Sequence, residues 1–259
     1  MVRFTAGSVV VCFLLATPTA AQQSRCANCH FAYPNVPAAD HQGDWDRSAH
    51  SRANVGCEKC HGGDATTFEP FLAHRGTLSS NNPASPANRR NISATCGGCH
   101  TAPFVAFKES RHFALAEVGD TRVPVCSTCH GAAGFRRQSP KALEVQCAEC
   151  HGARGIAPRP EQAEASRLLY EALNETRDVL RATRPLINRV RDKARRAELK
   201  EAHHLTEVPL IQAVQAGHQF VYGDLKEHLN LARQRLEAML GQLANPKPDL
   251  TSTRSGPPR

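Results

Sequence analysis

Apolar residues recur at helical spacing through the last third of the chain. Leu168, Leu169, Leu173 and Leu180 predict a helix from Glu161 to about Ala182. Thr183-Arg184-Pro185 interrupts it, and Pro185 suits the first turn of a second helix reaching about Leu205. Thr206-Glu207-Val208-Pro209 then opens a third, ending near Leu243. Its stripe is Leu210, Val214, Val221, Leu225, Leu229, Leu236 and Leu243. Upstream, over 22–160, no such period holds. Gly, Pro, Asn, Ser and Arg crowd this region, which reads as short helical turns between long loops. Nearer the start, Arg3, the apolar run Val9 to Ala16 and the small residues Pro18-Thr19-Ala20-Ala21 read as an export signal over 1–21. That run is too short to span a bilayer comfortably. Residues 244–259, with Pro246, Pro248, Pro257 and Pro258, read as a disordered tail.

Composition sharpens the contrast. Aromatic residues make up 5% of the 259 and mean hydropathy is -0.43. Residues 22–160 on their own would struggle to bury enough apolar surface to offset chain entropy. Their interior has to come from something other than side chains.

The cysteines name the candidate. Cys26-Ala27-Asn28-Cys29-His30 is followed by the same pattern at Cys57, Cys60 and His61, at Cys96, Cys99 and His100, at Cys126, Cys129 and His130, and at Cys147, Cys150 and His151. C-x-x-C-H is the signal for covalent c-type haem: two thiols add to the vinyl groups of one porphyrin and the histidine ligates its iron. Ten of the 11 cysteines are used in this way, and the other, Cys12, lies in the export signal. Zinc knuckles would need two C-x-x-C pairs per ion. Five pairs divide badly between ions, and a histidine after each would have no explanation. The sequence therefore predicts five covalently bound haem c groups, with the macrocycles as the core of 22–160. A haem-free chain is expected not to fold.

Each iron also needs something on its other face. Ser48-Ala49-His50 is echoed by Ser110-Arg111-His112, which nominates His50 and His112. His74 closes an apparent helical turn, Phe71-Leu72-Ala73. His218 interrupts an apolar stripe, where an unpartnered imidazole is costly. For the fifth position His204 and His41 both stand as candidates. His203 and His228 read as solvated or packed on propionates, and Trp45 as packed edge-on against a haem. After removal of the export signal Met239 is the remaining methionine, and it falls in a core stripe. His/His ligation is thus the default, with lower potentials than Met/His. The formal charge of +8 would ordinarily suggest an anionic partner such as nucleic acid. Five haems bring about ten propionate charges, which the arginines can neutralise, so no nucleic-acid binding is inferred.

The five repeats, His74 and Gly76 ahead of Cys96-Gly97-Gly98-Cys99-His100, the Ser-x-His echoes and Gly217-His218-Gln219-Phe220-Val221-Tyr222 on a terminal helix resemble the multihaem cytochromes c. The likeness is to the superfamily of pentahaem nitrite reductases, hydroxylamine oxidoreductases and their small electron-carrying relatives, over roughly 26–243. The resemblance implies a mainly α fold: a haem array followed by a C-terminal helical region (161–243) that packs on it and donates a ligand, here His218. The chain lacks the C-x-x-C-K motif of the nitrite reductases and is much shorter than those enzymes. Nothing singles out Tyr33, Tyr170 or Tyr222 for the tyrosine cross-link of the hydroxylamine oxidoreductases. The expectation is therefore a periplasmic electron carrier rather than an enzyme. It would pass electrons through low-potential haems in anaerobic respiration, with a membrane quinol oxidoreductase and a terminal reductase as partners. The alternative is an oxidoreductase acting on a small nitrogen or sulfur oxyanion at a five-coordinate haem. No transmembrane span is expected in the mature chain.

Overall fold

The computed structural model describes residues 24–33, 42–131 and 139–244. The export signal with Cys12, the candidate His41 and most of the predicted tail lie outside them. The described chain is helical, with no strand. Ten short helices come first: α1 (Arg25–Ala32), α2 (Gln42–Asp46), α3 (Ala49–Arg52), α4 (Glu58–His61), α5 (Pro70–Ala73), α6 (Ile92–Gly97), α7 (Thr101–Lys108), α8 (Arg111–Glu117), α9 (Cys126–His130) and α10 (Pro140–His151). Three long ones follow: α11 (Pro160–Arg189), α12 (Lys193–Gln219) and α13 (Tyr222–Ala244).

The two halves are stabilised differently. In α11–α13 a side-chain core forms from Leu173, Leu180, Ile187, Leu199, Leu210, Leu225, Leu229, Leu236 and Met239. Upstream of α11 the buried apolar set is thin: Ala27, Ile92, Ala106, Phe107, Val123 and Val125. Composition thus foretold the poor interior of the first half, but the C-terminal helices supply a core of their own. Leu168, assigned to the apolar face of α11, is half exposed.

The predicted helix breaks fall elsewhere. α11 runs through Pro185, and α12 runs through Pro209. A proline inside a helix removes the donor for the carbonyl four residues earlier, at a cost of about 3 kcal/mol. For Pro209 that carbonyl is Leu205, and the Arg235 guanidinium of α13 donates to it instead. Near Pro185 the Leu180 carbonyl accepts from Thr183 Oγ1 at 2.6 Å and from His203 Nε2 at 3.2 Å. His203 is accordingly buried rather than solvated. The actual breaks are at 190–192 and 220–221, the second made by Phe220 in the left-handed region at φ 60°. No helix among the described residues is long and apolar enough to cross a membrane.

α7 joins the halves. It packs on both α6 and α12. Phe107 meets Phe220 with ring centres 6.4 Å apart, and Gln219 Nε2 donates to Glu109 Oε2.

Candidate functional site

Every C-x-x-C-H motif lies in or beside a helical turn. α1, α9 and α10 contain a whole motif, α4 opens immediately after Cys57, and α6 ends three residues before His100. On a helix, positions i, i+3 and i+4 share a face. The spacing therefore presents both thiols and the imidazole to one side. The turns at the second and third motifs close with His61 N–H to the Cys57 carbonyl at 2.9 Å and His100 N–H to the Cys96 carbonyl at 2.8 Å. After His61 the chain turns at Gly62, φ 74°, where a β-carbon would stand 2.7 Å from the Gly76 carbonyl oxygen. Glycine there lets the 74–78 segment fold back, and Leu78 N–H bonds the His61 carbonyl at 3.0 Å.

The Ser-x-His echo is a capping device. Ser48 caps α3 by accepting from Ser51 N–H at 3.2 Å, and Ser110 caps α8 by accepting from Phe113 N–H at 3.0 Å. Both serines are buried, and each fixes a helix whose second residue is the histidine. His74 stands at the C-terminal end of α5, and its Nδ1 meets the Pro70 carbonyl at 2.8 Å. His218 lies in the last turn of α12, with Nδ1 2.8 Å from the Val214 carbonyl, and His151 Nδ1 is 2.8 Å from the Ala157 carbonyl. A carbonyl only accepts, so these nitrogens carry the proton and leave Nε2 as the lone-pair donor, as in metal-bound histidines.

The structure brings four motif histidines to four histidines from outside the motifs. Ring centres are 6.0 Å apart for His30–His74, His50–His100 and His112–His151, and 6.2 Å for His130–His218. A metal bonded at about 2 Å to an imidazole on each side, with about 1.1 Å more from nitrogen to ring centre, gives a separation of roughly 6 Å. Among the described residues no three His, Cys, Asp or Glu side chains converge on a point that could hold a metal ion. Each gap thus lies between two imidazoles, with no cluster of three metal-binding side chains around it among the described residues. A metal held between such a pair would need its other donors from a non-protein group, which fits a tetrapyrrole iron and does not fit a zinc knuckle.

Neutral imidazole is the ligand form, and the surroundings favour it. His50 is held below its ordinary value by burial and then by His100. His112 is lowered by burial and then by His151. His130 borders an open gap but is crowded by protein, which lowers it, with His218 and then His100 adding to the effect.

The thiols show which motifs are neighbours. Burial pushes Cys57 up to about 11, and Cys26 adds to this. Cys60 is raised by burial, then by Glu58 and Cys99. Cys126 hydrogen-bonds with Cys96 and is lowered by that bond. Cys129 rises to about 11 through burial and then Cys147. Each motif therefore meets the next along the chain.

His204 lies elsewhere. Its side chain is 70% exposed, with Nδ1 3.7 Å from Glu207, in a groove lined also by Arg184, Lys200 and His203 and by no motif residue. Trp45 Nε1 donates to the Val55 carbonyl at 2.8 Å, tying α2 to the approach of the second motif. Sequence reasoning missed Phe220, whose ring sits edge-on to His112 with centres 4.4 Å apart. It also missed Tyr170 and Tyr222, whose phenols are raised by burial first and then by Cys147 and Cys129 nearby. A positive φ at a phenylalanine leaves no local signal.

No curated protein and no solved structure matches the chain. The family described as cytochrome c554 and c-prime matches residues 14–62. That stretch contains the first two motifs and His50. Together with the motif chemistry, the match supports an electron-transfer haem protein of the c type, with haem bound covalently.

Proposed function

We propose that the chain is an exported pentahaem cytochrome passing electrons along a row of low-potential haems in anaerobic respiration, from a membrane quinol oxidoreductase towards a terminal reductase. The observation that carries this reading is the set of four imidazole pairs at 6.0–6.2 Å, each joining a motif histidine to one from outside the motifs. The first haem takes His30 and His74, the third His100 and His50, the fourth His130 and His218, and the fifth His151 and His112. The second takes His61, with His41 as its other ligand in preference to His204. Supporting this choice, α2 begins one residue after His41 and is tied through Trp45 to the approach of the second motif. His204 instead faces Glu207 in a groove without motif residues.

Adjacent thiols run first to second, second to third, third to fourth and fourth to fifth. This favours a single row in chain order. Electron tunnelling falls steeply with distance, so haems in such contact conduct by proximity alone. Met239 is buried among α11–α13, which supports His/His ligation and low potentials throughout. Kinship with the carriers related to pentahaem nitrite reductases and hydroxylamine oxidoreductases is part of the same reading. It is supported by His218 at the end of a long C-terminal helix.

The test is a pyridine haemochrome assay on purified protein together with electron paramagnetic resonance of the ferric form. Five haems per chain, all low-spin, are expected. Markedly fewer haems, or bound zinc, would end this reading. A high-spin ferric signal with carbon monoxide binding on reduction would replace a carrier with a catalyst.

A further inference from the structure

We propose that the contact between the Tyr170 hydroxyl and Gly217 positions His218, and so sets the near-parallel imidazoles of the fourth haem. The proposal rests on the haem assignment above. Three of the ligand pairs have ring planes 54°, 62° and 60° apart, but His130 and His218 are only 13° apart. His218 Nδ1 is bonded to the Val214 carbonyl of its own helix. Its ring plane therefore moves with α12.

α12 meets α11 at Gly217. A β-carbon there would stand 2.4 Å from Tyr170 Oη, 3.2 Å from Tyr170 Cζ and 3.3 Å from Leu225 Cδ1. The first of these separations lies well inside van der Waals contact, so the helices approach this closely only because residue 217 has no side chain. Tyr170 packs against the core of α11–α13, which limits how far it can retreat. One turn earlier on α11, Ser166 Oγ lies 3.7 Å from Cys147 Sγ. The phenol itself is near Cys129 and Cys147, where the fourth and fifth motifs meet.

The angle has an electronic consequence. Near-parallel imidazoles donate into the same iron d orbital and split the remaining pair widely, which gives a rhombic ferric signal. Planes turned towards crossing leave that pair nearly degenerate, which gives a strongly anisotropic signal. Among the four described pairs, the fourth haem is therefore the rhombic one.

The experiment is paramagnetic resonance of ferric full-length holoprotein, with haem content counted for each variant. The parent should show a rhombic low-spin signal from the fourth haem, which His218→Ala should remove by converting that haem to high-spin. Gly217→Ala should shift or abolish the rhombic signal at unchanged haem content. The double variant Tyr170→Phe/Gly217→Ala should restore it, because the atom nearest the new methyl is gone. An unchanged rhombic signal in Gly217→Ala, or no restoration in the double variant, overturns the proposal. If Gly217→Ala does not fold, the double variant decides: full haem content with the rhombic signal upholds the contact, and failure to fold overturns it. If His218→Ala leaves the rhombic signal intact, the ligand assignment itself fails, independently of Tyr170.

Discussion

Under the proposed haem assignment, replacing Ser110 by alanine should loosen an iron ligand without touching it. Ser110 is 2% exposed, and its hydroxyl accepts from Phe113 N–H at 3.0 Å at the start of α8. Loss of such a cap costs about 1 kcal/mol. α8 has seven residues, too few to hold itself without its cap and its contacts. The loss should appear at the bond between iron and His112, the second residue of that helix. Burial, and then His151, holds His112 below its ordinary value, so the folded form binds fewer protons there than the unfolded form. Its contribution is complete above the ordinary histidine range and is lost as pH falls through the folded value. Acid must also displace the iron. One proton competes with one bond, and about 1.36 kcal/mol corresponds to one pH unit, so the cap is worth roughly 0.7 unit. In Ser110→Ala the acid midpoint at which one haem turns high-spin should rise by that amount, followed by absorption during titration. Ser48→Ala should do the same to a different haem, through His50. Unmoved midpoints with all haems retained would refute a capping role for the Ser-x-His motif.

Two further outcomes concern the C-terminal helices. Leu225 is fully buried in their core, so Leu225→Ala should cost about 2–5 kcal/mol. Thermal unfolding followed at helix wavelengths measures this, and a change well under 1 kcal/mol would mean that the three helices do not pack as described. Arg235→Ala should leave the exposed Leu205 carbonyl opposite Pro209 to water and cost about 0.5–1 kcal/mol. In the same assay Pro209→Ala should offset much of that loss, because it restores the missing amide. Additive or unrelated effects of the two substitutions would deny the link between them.

Much of the candidate site was legible because its signals are local. The five motifs, the serine two residues before His50 and before His112, and the turn ending at His74 all declare themselves within a few residues. His218 was legible for another reason: an imidazole in an apolar stripe needs a partner. The helix limits were not legible. Pro185 and Pro209 are ordinary stop signals, and for Pro209 the compensation comes from far along the chain, as Arg235 donates to the Leu205 carbonyl that the proline leaves free. The turn that does end α12 is made by Phe220, a residue type that sequence patterns do not associate with positive φ. The burial of His203 follows from its distant bond to Leu180, so local pattern placed it on the wrong side of the helix.

The order in which the histidines pair divides the chain at a place that composition does not mark. The link from His30 to His74 interleaves with that from His50 to His100, and the link from His112 to His151 interleaves with that from His130 to His218. None of the four crosses α7. Closing either member of a pair shortens the loop the other must close and so lowers its entropic cost. Under the haem assignment, maturation becomes a two-stage affair. An amino-terminal knot can tie itself while the rest of the polypeptide is still emerging, whereas the later knot stays open at His130 until the far end of α12 arrives.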